Sequence, residues 1–253
     1  MDPLTHGVIV FCAACIAGAV NSVAGGGSLV SFPTLVWLGL PSIAANATNT
    51  VALWPGALGA VWGYRRELRN TEQRMYALTV PSVIGGIIGA LLLRLTPGAL
   101  FDRLVPVLIL FATVLFMIQE PVQRMFNRSP RHRGGRWLAG AMFFQLIVGV
   151  YGGYFGAGIG ILMLAVLAIL GHDDIHQMNG FKNLLAASVN GVAAAYFVWM
   201  RMVSWADVAV MATGAILGGA VAAGVARRLE ARTVRRIVIT VGFAMAAALM
   251  VRR

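Results

Sequence analysis

Lys182 is the one lysine of the chain, and it lies within the apolar segment HQMNGFKNLLAASVNGVAAAYFVWM. The segment has one polar face, which carries Asn179, Asn183, Ser188 and Asn190. A cation at membrane depth is costly, so it normally faces a partner, a cavity or a substrate. These residues therefore indicate a binding site for something anionic.

Two structural alternatives remain open for Lys182. Its long side chain could reach the membrane interface, because the predicted helix begins only about two turns earlier. It could also pair with Asp173 or Asp174, which precede the segment. We expect instead that Lys182 contacts the substrate or lines its cavity.

The composition is that of a membrane protein. The 253 residues are 59% hydrophobic and 11% charged, with a mean hydropathy of +0.80, and no charged residue occurs from Pro3 to Tyr64 or from Trp137 to Gly171. Soluble domains carry about 25% charged residues, and apolar runs of about 20 residues span a bilayer. The prediction is an all-α, polytopic membrane protein, since barrel strands would alternate polar and apolar residues.

The positive charge has a membrane explanation. The net charge is +11, but the arginines flank the apolar segments, so lipid headgroups and topology account for them and a nucleic-acid partner is not expected. The N-terminus lacks the basic region of a signal peptide, so the first span should be retained. Cys12 and Cys15, one helical turn apart, are interpreted as small buried residues.

Glycine clusters split two of the apolar segments. They lie in AGAVNSVAGGGSLVSFP and in VYGGYFGAGIGIL, and a short apolar segment follows each. Such interrupted segments at matching positions of two halves indicate a transporter's binding site. The predicted segments are 7–23, 29–39, 43–64, 75–94, 100–118, 137–154, 159–170, 176–199, 204–226 and 234–251.

The two halves can be aligned with each other. The matched positions are Gly25 with Gly156, Gly27 with Gly158, Thr48 with Lys182 and Asn49 with Asn183. Fourteen arginines lie in 65–74, 119–136 and 227–236, on one side of the ten-segment arrangement, against five on the other, which places the larger group in the cytoplasm. The prediction is two inverted-topology repeats, 1–118 and 137–253, each with a glycine-broken helix hairpin, joined by a basic cytoplasmic linker, 119–136.

The short helices that follow the breaks would present free N–H groups and a positive dipole end to an anion. The alternative is that the glycines only allow close helix packing, and that Asn49 and Asn183 bond the broken backbone. Asn21 could cap the first break. The predicted substrate-binding residues are Gly25, Gly26, Gly27, Ser28, Thr48, Asn49, Gly156, Gly158, Lys182 and Asn183.

The sequence shows no enzyme motif. It has no Gly-x-Ser-x-Gly, no phosphate-binding loop and no cluster of metal-ligand residues. We therefore expect no catalytic residue, no metal and no cofactor. No Asp or Glu lies clearly at the centre of a span, so a carboxylate proton relay is not supported, although relay through a histidine or the substrate stays open.

The first break and the residues after it follow a recognisable pattern: an Asn, a glycine-rich break, a proline in the short helix, Gly-x-Pro and Thr-Asn. The residues are Asn21, Gly25 to Gly27, Pro33, Gly39–Leu40–Pro41 and Thr48–Asn49. This pattern resembles the opening of the TauE/SafE family of sulfite and organosulfonate exporters. The second half is similar in GVYGGYFGAGIG and Lys182–Asn183. This resemblance implies transport of sulfite, sulfoacetate, thiosulfate or a related anion across the inner membrane.

The predicted function is export of a small sulfur-containing anion by alternating access. The alternatives are a transporter or channel for another small organic anion, and a membrane scaffold without transport. The expected location is the cell inner membrane, as a multi-pass protein. The expected partners are the anionic substrate and membrane lipids, with a dimer as one option for the oligomeric state.

Overall fold

The computed structural model describes residues 2–23, 26–69, 73–126, 135–169, 175–225 and 231–251. These described residues form α-helices and one 3₁₀ helix (Gln73–Leu78), with no strand among them, so the all-α prediction is confirmed. The helices are α1 (Pro3–Val23), α2 (Ser28–Trp37), α3 (Ser42–Gly63), α4 (Arg65–Arg69), α5 (Thr79–Leu95), α6 (Gly98–Phe126), α7 (Gly135–Tyr154), α8 (Ile159–Ile169), α9 (Ile175–Trp199), α10 (Trp205–Val225) and α11 (Ala231–Val251).

Each predicted apolar segment overlaps one of these α-helices, but the ends differ. The helix α6 continues to Phe126, eight residues beyond the apolar run that ends at 118. The extension contains the good helix formers glutamine, glutamate, arginine and methionine, and the helix continues through Pro121. The predicted linker 119–136 therefore begins within α6 and ends within α7, and 127–134 lie outside the described residues.

Three helical stretches in the described part are long and apolar enough to cross a membrane: Pro3–Asn21, Met75–Leu95 and Gly98–Ile118. Shorter apolar helices are found at Ser28–Trp37, Leu138–Tyr154, Trp205–Ala220 and Val238–Met250. The helices α3 and α9 are in neither group. The helix α3 carries Asn46, Thr48 and Asn49, and α9 carries Lys182. These polar residues lower the mean hydropathy of both helices.

Glycines allow two helix pairs to pack with their backbones in contact. A Cβ atom added at Gly218 of α10 would collide with the carbonyl oxygen of Cys15 in α1. One added at Gly89 of α5 would collide with the carbonyl oxygen of Val150 in α7. Membrane helices gain little from burying apolar surface against each other, so their contacts depend on such close packing of small residues.

The remaining helices surround these two pairs. The helix α3 packs against α9 and α10, α5 against α9, and α6 against α11, while the short helices α2 and α8 pack beside α1 and α7 respectively. Large aromatic side chains fill the interior, and the fully buried ones are Phe32, Phe101, Phe116, Phe181 and Phe197. Cys12 and Cys15 are unpaired thiols, and Cys12 is exposed because it lies on the outer face of α1, so its predicted burial is wrong.

Candidate functional site

The first glycine cluster separates α1 from α2. Gly26 has a φ of +89°, a conformation that glycine adopts without a steric penalty. The N–H of Gly27 donates to Asn21 Oδ1 at 2.7 Å, so the predicted capping of this break by Asn21 is confirmed. Gly25 lies outside the described residues, and Ser28 is the half-buried first residue of α2.

Asn49 joins α3 to the short helix α2. Its side chain is buried, and its Oδ1 accepts a hydrogen bond of 2.5 Å from Ser31 Oγ in α2. The Ser31 hydroxyl also lies 3.3 Å from the carbonyl oxygen of Gly27. The first break, α2 and α3 thus share a continuous polar cluster formed by Asn21, Gly27, Ser31 and Asn49.

Two further polar residues of α3 bind backbone groups in the second half of the chain. Thr48 is fully buried, and its Oγ1 accepts the N–H of Ser204 at 3.0 Å. Asn46 donates from Nδ2 to the carbonyl oxygen of Tyr154 at 3.0 Å, where α7 ends. A carbonyl at a helix end has no partner within its helix, so Asn46 satisfies one of these groups.

The second glycine cluster separates α7 from α8. Gly156 and Gly158 have φ values of +79° and +76°. The hydroxyl of Tyr151 donates to the carbonyl oxygen of Ala157 at 2.7 Å, which fixes the non-helical backbone between the two glycines. A Cβ atom added at Gly156 would lie 3.6 Å from Asn190 Oδ1, so a polar side chain of α9 faces this break.

Lys182 lies where α9 passes the beginning of α8. A Cβ atom added at Gly160, the second residue of α8, would lie 3.2 Å from Lys182 Cδ, so the lysine stem packs against the first turn of that helix. Its Nζ donates to Asn179 Oδ1 at 3.2 Å. Both Lys182 and Asn183 are half-buried.

The two breaks contact neighbouring turns of one helix. A Cβ atom added at Gly26 would lie 3.0 Å from Phe116 Cε2, and one added at Gly158 would lie 3.5 Å from the carbonyl oxygen of Ala112. Ala112 and Phe116 are four residues apart in α6 and share one face of it. Both glycine breaks therefore lie against the same part of α6.

Asn49 and Lys182 are not brought together. Trp54 of α3 contacts α9 at Ala187 through a 3.0 Å hydrogen bond, whereas Tyr64, which follows α3 directly, lies against Gly180, earlier in α9. The two helices therefore run in opposite directions. With a rise of 1.5 Å per residue, this register separates Asn49 from Lys182 by roughly 18 Å along the helices. One small oxyanion cannot contact both side chains at once.

Comparison with known proteins identifies the family. Residues 10–249 match the family described as sulfite exporter TauE/SafE. The chain belongs to the TauE/SafE family. It is 26% identical over 240 residues to a probable membrane transporter protein of Haemophilus influenzae, with 94% of this chain and 92% of that protein covered. It is 25% identical over 251 residues to the probable membrane transporter protein YfcA of Escherichia coli K12, covering 99% and 91%. No solved structure matches the chain.

The family settles the class of activity. This TauE/SafE protein is a membrane transporter and not an enzyme, so both the resemblance to this family and the expectation of no enzymatic activity are confirmed. In the described residues, no group of three or more histidine, cysteine or acidic side chains is placed to hold a metal ion.

Two residues of this TauE/SafE protein were not among the predicted site residues. Ser31 provides the hydroxyl that reaches Asn49, and Ser204 provides the N–H that reaches Thr48. A single serine in an apolar helix gives no sequence signal of its own. Ser204 does carry one, because Ser-x-x-Asp at 204–207 is a helix-start pattern.

Proposed function

We propose that this TauE/SafE protein exports a small sulfur-containing anion, such as sulfite, a sulfonate, sulfoacetate or thiosulfate, across the inner membrane by alternating access. The observation that carries the proposal is the position of Lys182 beside the first turn of α8. The family name supplies sulfite as the leading candidate for the cargo.

The positive end of α8 explains why an anion would bind beside Lys182. A helix N-terminus carries about half a positive charge and free N–H groups. A lysine stem that packs on such an end adds a second positive group to a half-buried location. The positive end of α8 and the Lys182 ammonium repel each other. An oxyanion bound between them offsets this repulsion and accepts hydrogen bonds from the free N–H groups of the helix and from the ammonium.

The helix contacts support two inverted repeats, 1–118 and 137–253, joined by the cytoplasmic linker 119–136. The five main helices of each half can be matched in chain order: α1 with α7, α2 with α8, α3 with α9, α5 with α10 and α6 with α11. When matched helices are exchanged, the principal helix–helix contacts of the molecule are reproduced. The α1–α10 contact becomes α7–α5, and α3–α10 becomes α9–α5, while α3–α9 and α6–α11 map onto themselves. The opposite directions of α3 and α9 agree with repeats of inverted topology, as in many secondary transporters.

Each repeat then contributes one anion position. In the second repeat the position is formed by Lys182 and the N-terminal turn of α8. In the first repeat it is formed by Asn49, Ser31 and the backbone at Gly26 and Gly27. The two positions lie on opposite sides of the α3–α9 crossing, so the anion moves from one to the other past the breaks that contact α6.

The membrane potential favours export. With a negative interior, outward movement of one negative charge gains about 2.3 kcal/mol per 100 mV. At roughly 150 mV the gain is about 3.5 kcal/mol, which supports a gradient of a few hundred-fold for a monoanion. Export therefore needs no coupling ion.

One observation favours the alternative of another small organic anion. The rings of Phe32 in α2 and Phe155 in the second break meet edge to face, with centroids 5.3 Å apart. Aromatic surface beside an anion position would suit an organic group on the cargo. A sulfonate and a carboxylate with the same organic group differ only in the charged end, so their competition separates the two possibilities.

The test is flux in proteoliposomes that contain the purified protein. Saturable uptake of radiolabelled sulfite, inhibited by methanesulfonate, sulfoacetate or thiosulfate and much less by acetate or lactate, is the expected result. Liposomes that contain an unrelated membrane protein are the control. Stronger inhibition by the carboxylates would favour the organic-anion alternative, and no saturable flux of any of these anions would contradict the proposal.

A further inference from the structure

A titratable pair joins the beginnings of α1 and α10, away from Lys182. His6 Nε2 lies 2.8 Å from Asp207 Oδ1, and the side chains are 28% and 9% exposed respectively. The other carboxylate oxygen, Asp207 Oδ2, accepts a hydrogen bond of 2.6 Å from Ser204 Oγ. The pair thus has one partly exposed member and one buried member.

Ser204 extends this pair to the first anion position. Ser204 immediately precedes α10 and is therefore at its N-cap position. In a capping box, the acidic side chain three residues later accepts a hydrogen bond from the backbone N–H of the N-cap residue. Here the Ser204 N–H donates instead to Thr48 Oγ1 of α3, at 3.0 Å. Because Thr48 precedes Asn49, one hydrogen-bonded chain runs from His6 through Asp207 and Ser204 to the residue beside Asn49.

The helices around the pair contribute few other charges. The helices α2 and α3 contain no titratable residue, and the charged residues of α11 lie in its first two turns. The other titratable or charged residues on the described parts of α1, α3, α10 and α11 and their flanks are Asp2, Cys12, Cys15, Tyr64, Arg201, Arg232, Arg235 and Arg236. Arg201 is exposed, in the connection before Ser204.

We propose that His6 and Asp207 form a proton-binding site that controls access to the Asn49 position. Histidine changes its charge between pH 5 and pH 8. A charged His6 adds the attraction of two opposite charges to its hydrogen bond with the Asp207 carboxylate, and so holds α1 to α10 and, through Ser204, to α3. A neutral His6 keeps only the hydrogen bond to the carboxylate, so the three helix ends can separate more readily and admit the anion. This inference rests on the proposed anion transport, which provides its readout.

The experiment measures exchange of radiolabelled methanesulfonate in proteoliposomes with equal pH inside and outside. A sulfonate keeps its charge across this range, so any pH dependence belongs to the protein. Wild-type exchange should be slower at about pH 5.5 than at about pH 8 by roughly fivefold, because a neutral His6 loses the ion pair with Asp207, whose contribution is modest for a partly exposed pair.

Two variants interrupt the chain at different points. In His6→Gln the acidic inhibition should disappear, since glutamine can still bond Asp207 but does not titrate. Ser204→Ala keeps the His6–Asp207 pair and the backbone bond to Thr48 but loses the link between them, so it should also lose the inhibition. The control is His132→Gln, a histidine of the linker 119–136, which should keep the wild-type profile.

Each outcome decides the inference. An unchanged pH profile in both variants, or a wild-type rate that does not vary with pH, overturns the proton-binding site while the proposed transport stands. No wild-type flux of methanesulfonate, sulfite or thiosulfate at any pH overturns the proposed function and the inference with it. If His6→Gln is not recovered as folded protein, Asp207→Asn is measured in its place, with the same expected loss of inhibition.

Discussion

At the scale of single residues, Lys182 should have the largest effect on anion affinity. The substitution Lys182→Met removes the ammonium group and keeps most of the stem that packs against Gly160. The affinity for sulfite should fall at least about tenfold, because hydrogen bonds to charged groups contribute about 1.5–3 kcal/mol. Calorimetric titration of the purified variant measures this affinity.

The control for Lys182→Met is Arg103→Met, which removes an exposed cation near the beginning of α6. Its affinity for sulfite should match the wild-type value. Lys182→Arg should retain part of the affinity, since a planar guanidinium does not replace a compact ammonium. An unchanged affinity in Lys182→Met would give this lysine a structural role.

Ser31 provides a second test at residue scale. Ser31→Ala removes the donor to Asn49 and leaves a buried amide oxygen without that partner, which should cost about 1–3 kcal/mol of unfolding free energy. The matched control is Ser188→Ala, whose hydroxyl donates to the carbonyl oxygen of Leu184 in its own helix, at 2.9 Å. Thermal unfolding in detergent compares the two. Equal destabilisation would mean that the Ser31–Asn49 bond does not contribute to stability.

The sequence indicates individual polar residues but not their grouping. Lys182 and Asn49 stand out because each is a polar side chain in an apolar segment. Their separation depends on the crossing of α3 and α9, which is set by the contacts of Trp54 and Tyr64. Ser31 is recognised only once α2 lies beside α3. Tertiary contacts of this kind leave no local pattern in a single sequence.

At the scale of elements, the glycine breaks should be intolerant of side chains. Gly26→Leu and Gly156→Leu place a Cβ in a positive-φ conformation, which costs roughly 1–2 kcal/mol for a non-glycine residue. Gly26→Leu would also push against Phe116. Sulfite flux in proteoliposomes should fall sharply in both variants while membrane insertion persists.

The matched control for these variants is Gly59→Leu. Gly59 lies in α3, and a Cβ atom added there would have no neighbour within 4 Å. Its flux should stay close to the wild-type value. Normal flux in Gly26→Leu and Gly156→Leu would mean that the breaks serve only helix packing.

Most elements could be predicted because apolar length and glycine clusters are local signals. The ends of α1 and α7 and the starts of α2 and α8 fall at the predicted breaks. The short helix α4 was not predicted, because it lies in a polar connection where no apolar period exists. The extension of α6 to Phe126 was missed for the same reason. The 3₁₀ helix Gln73–Leu78 overlaps the beginning of the predicted segment 75–94, and apolar length alone does not distinguish a 3₁₀ turn from an α-helical one.

At the scale of the whole molecule, the arginine distribution predicts the orientation. With Cys12 and Cys15 replaced by alanine, a single cysteine placed in 119–136 should react with a membrane-impermeant reagent only from the cytoplasmic side. A cysteine at position 2 should react only from the opposite side. Labelling of the linker from outside intact cells would reverse the orientation, and labelling of position 2 and the linker from the same side would contradict the inverted-repeat arrangement.

The proposed inverted repeats also concern the whole molecule. An inverted pair of repeats lets the molecule adopt two related conformations by exchanging the roles of its halves. The Asn49 position would then open to one face and the Lys182 position to the other. Sequence alone suggested the proposed repeat through matched glycines and Thr-Asn with Lys-Asn, whereas the distance between Asn49 and Lys182 follows from the packing of α3 against α9.

The most direct measurement is the rate of sulfite flux in proteoliposomes under an imposed membrane potential, for wild type, Lys182→Met and Arg103→Met. Wild type and Arg103→Met should carry sulfite with saturation, faster when the potential drives the anion. Lys182→Met should need a sulfite concentration at least about tenfold higher for half-maximal rate. Equal sulfite flux in all three proteins and in liposomes without protein would contradict the assignment of this chain as a sulfur-anion transporter.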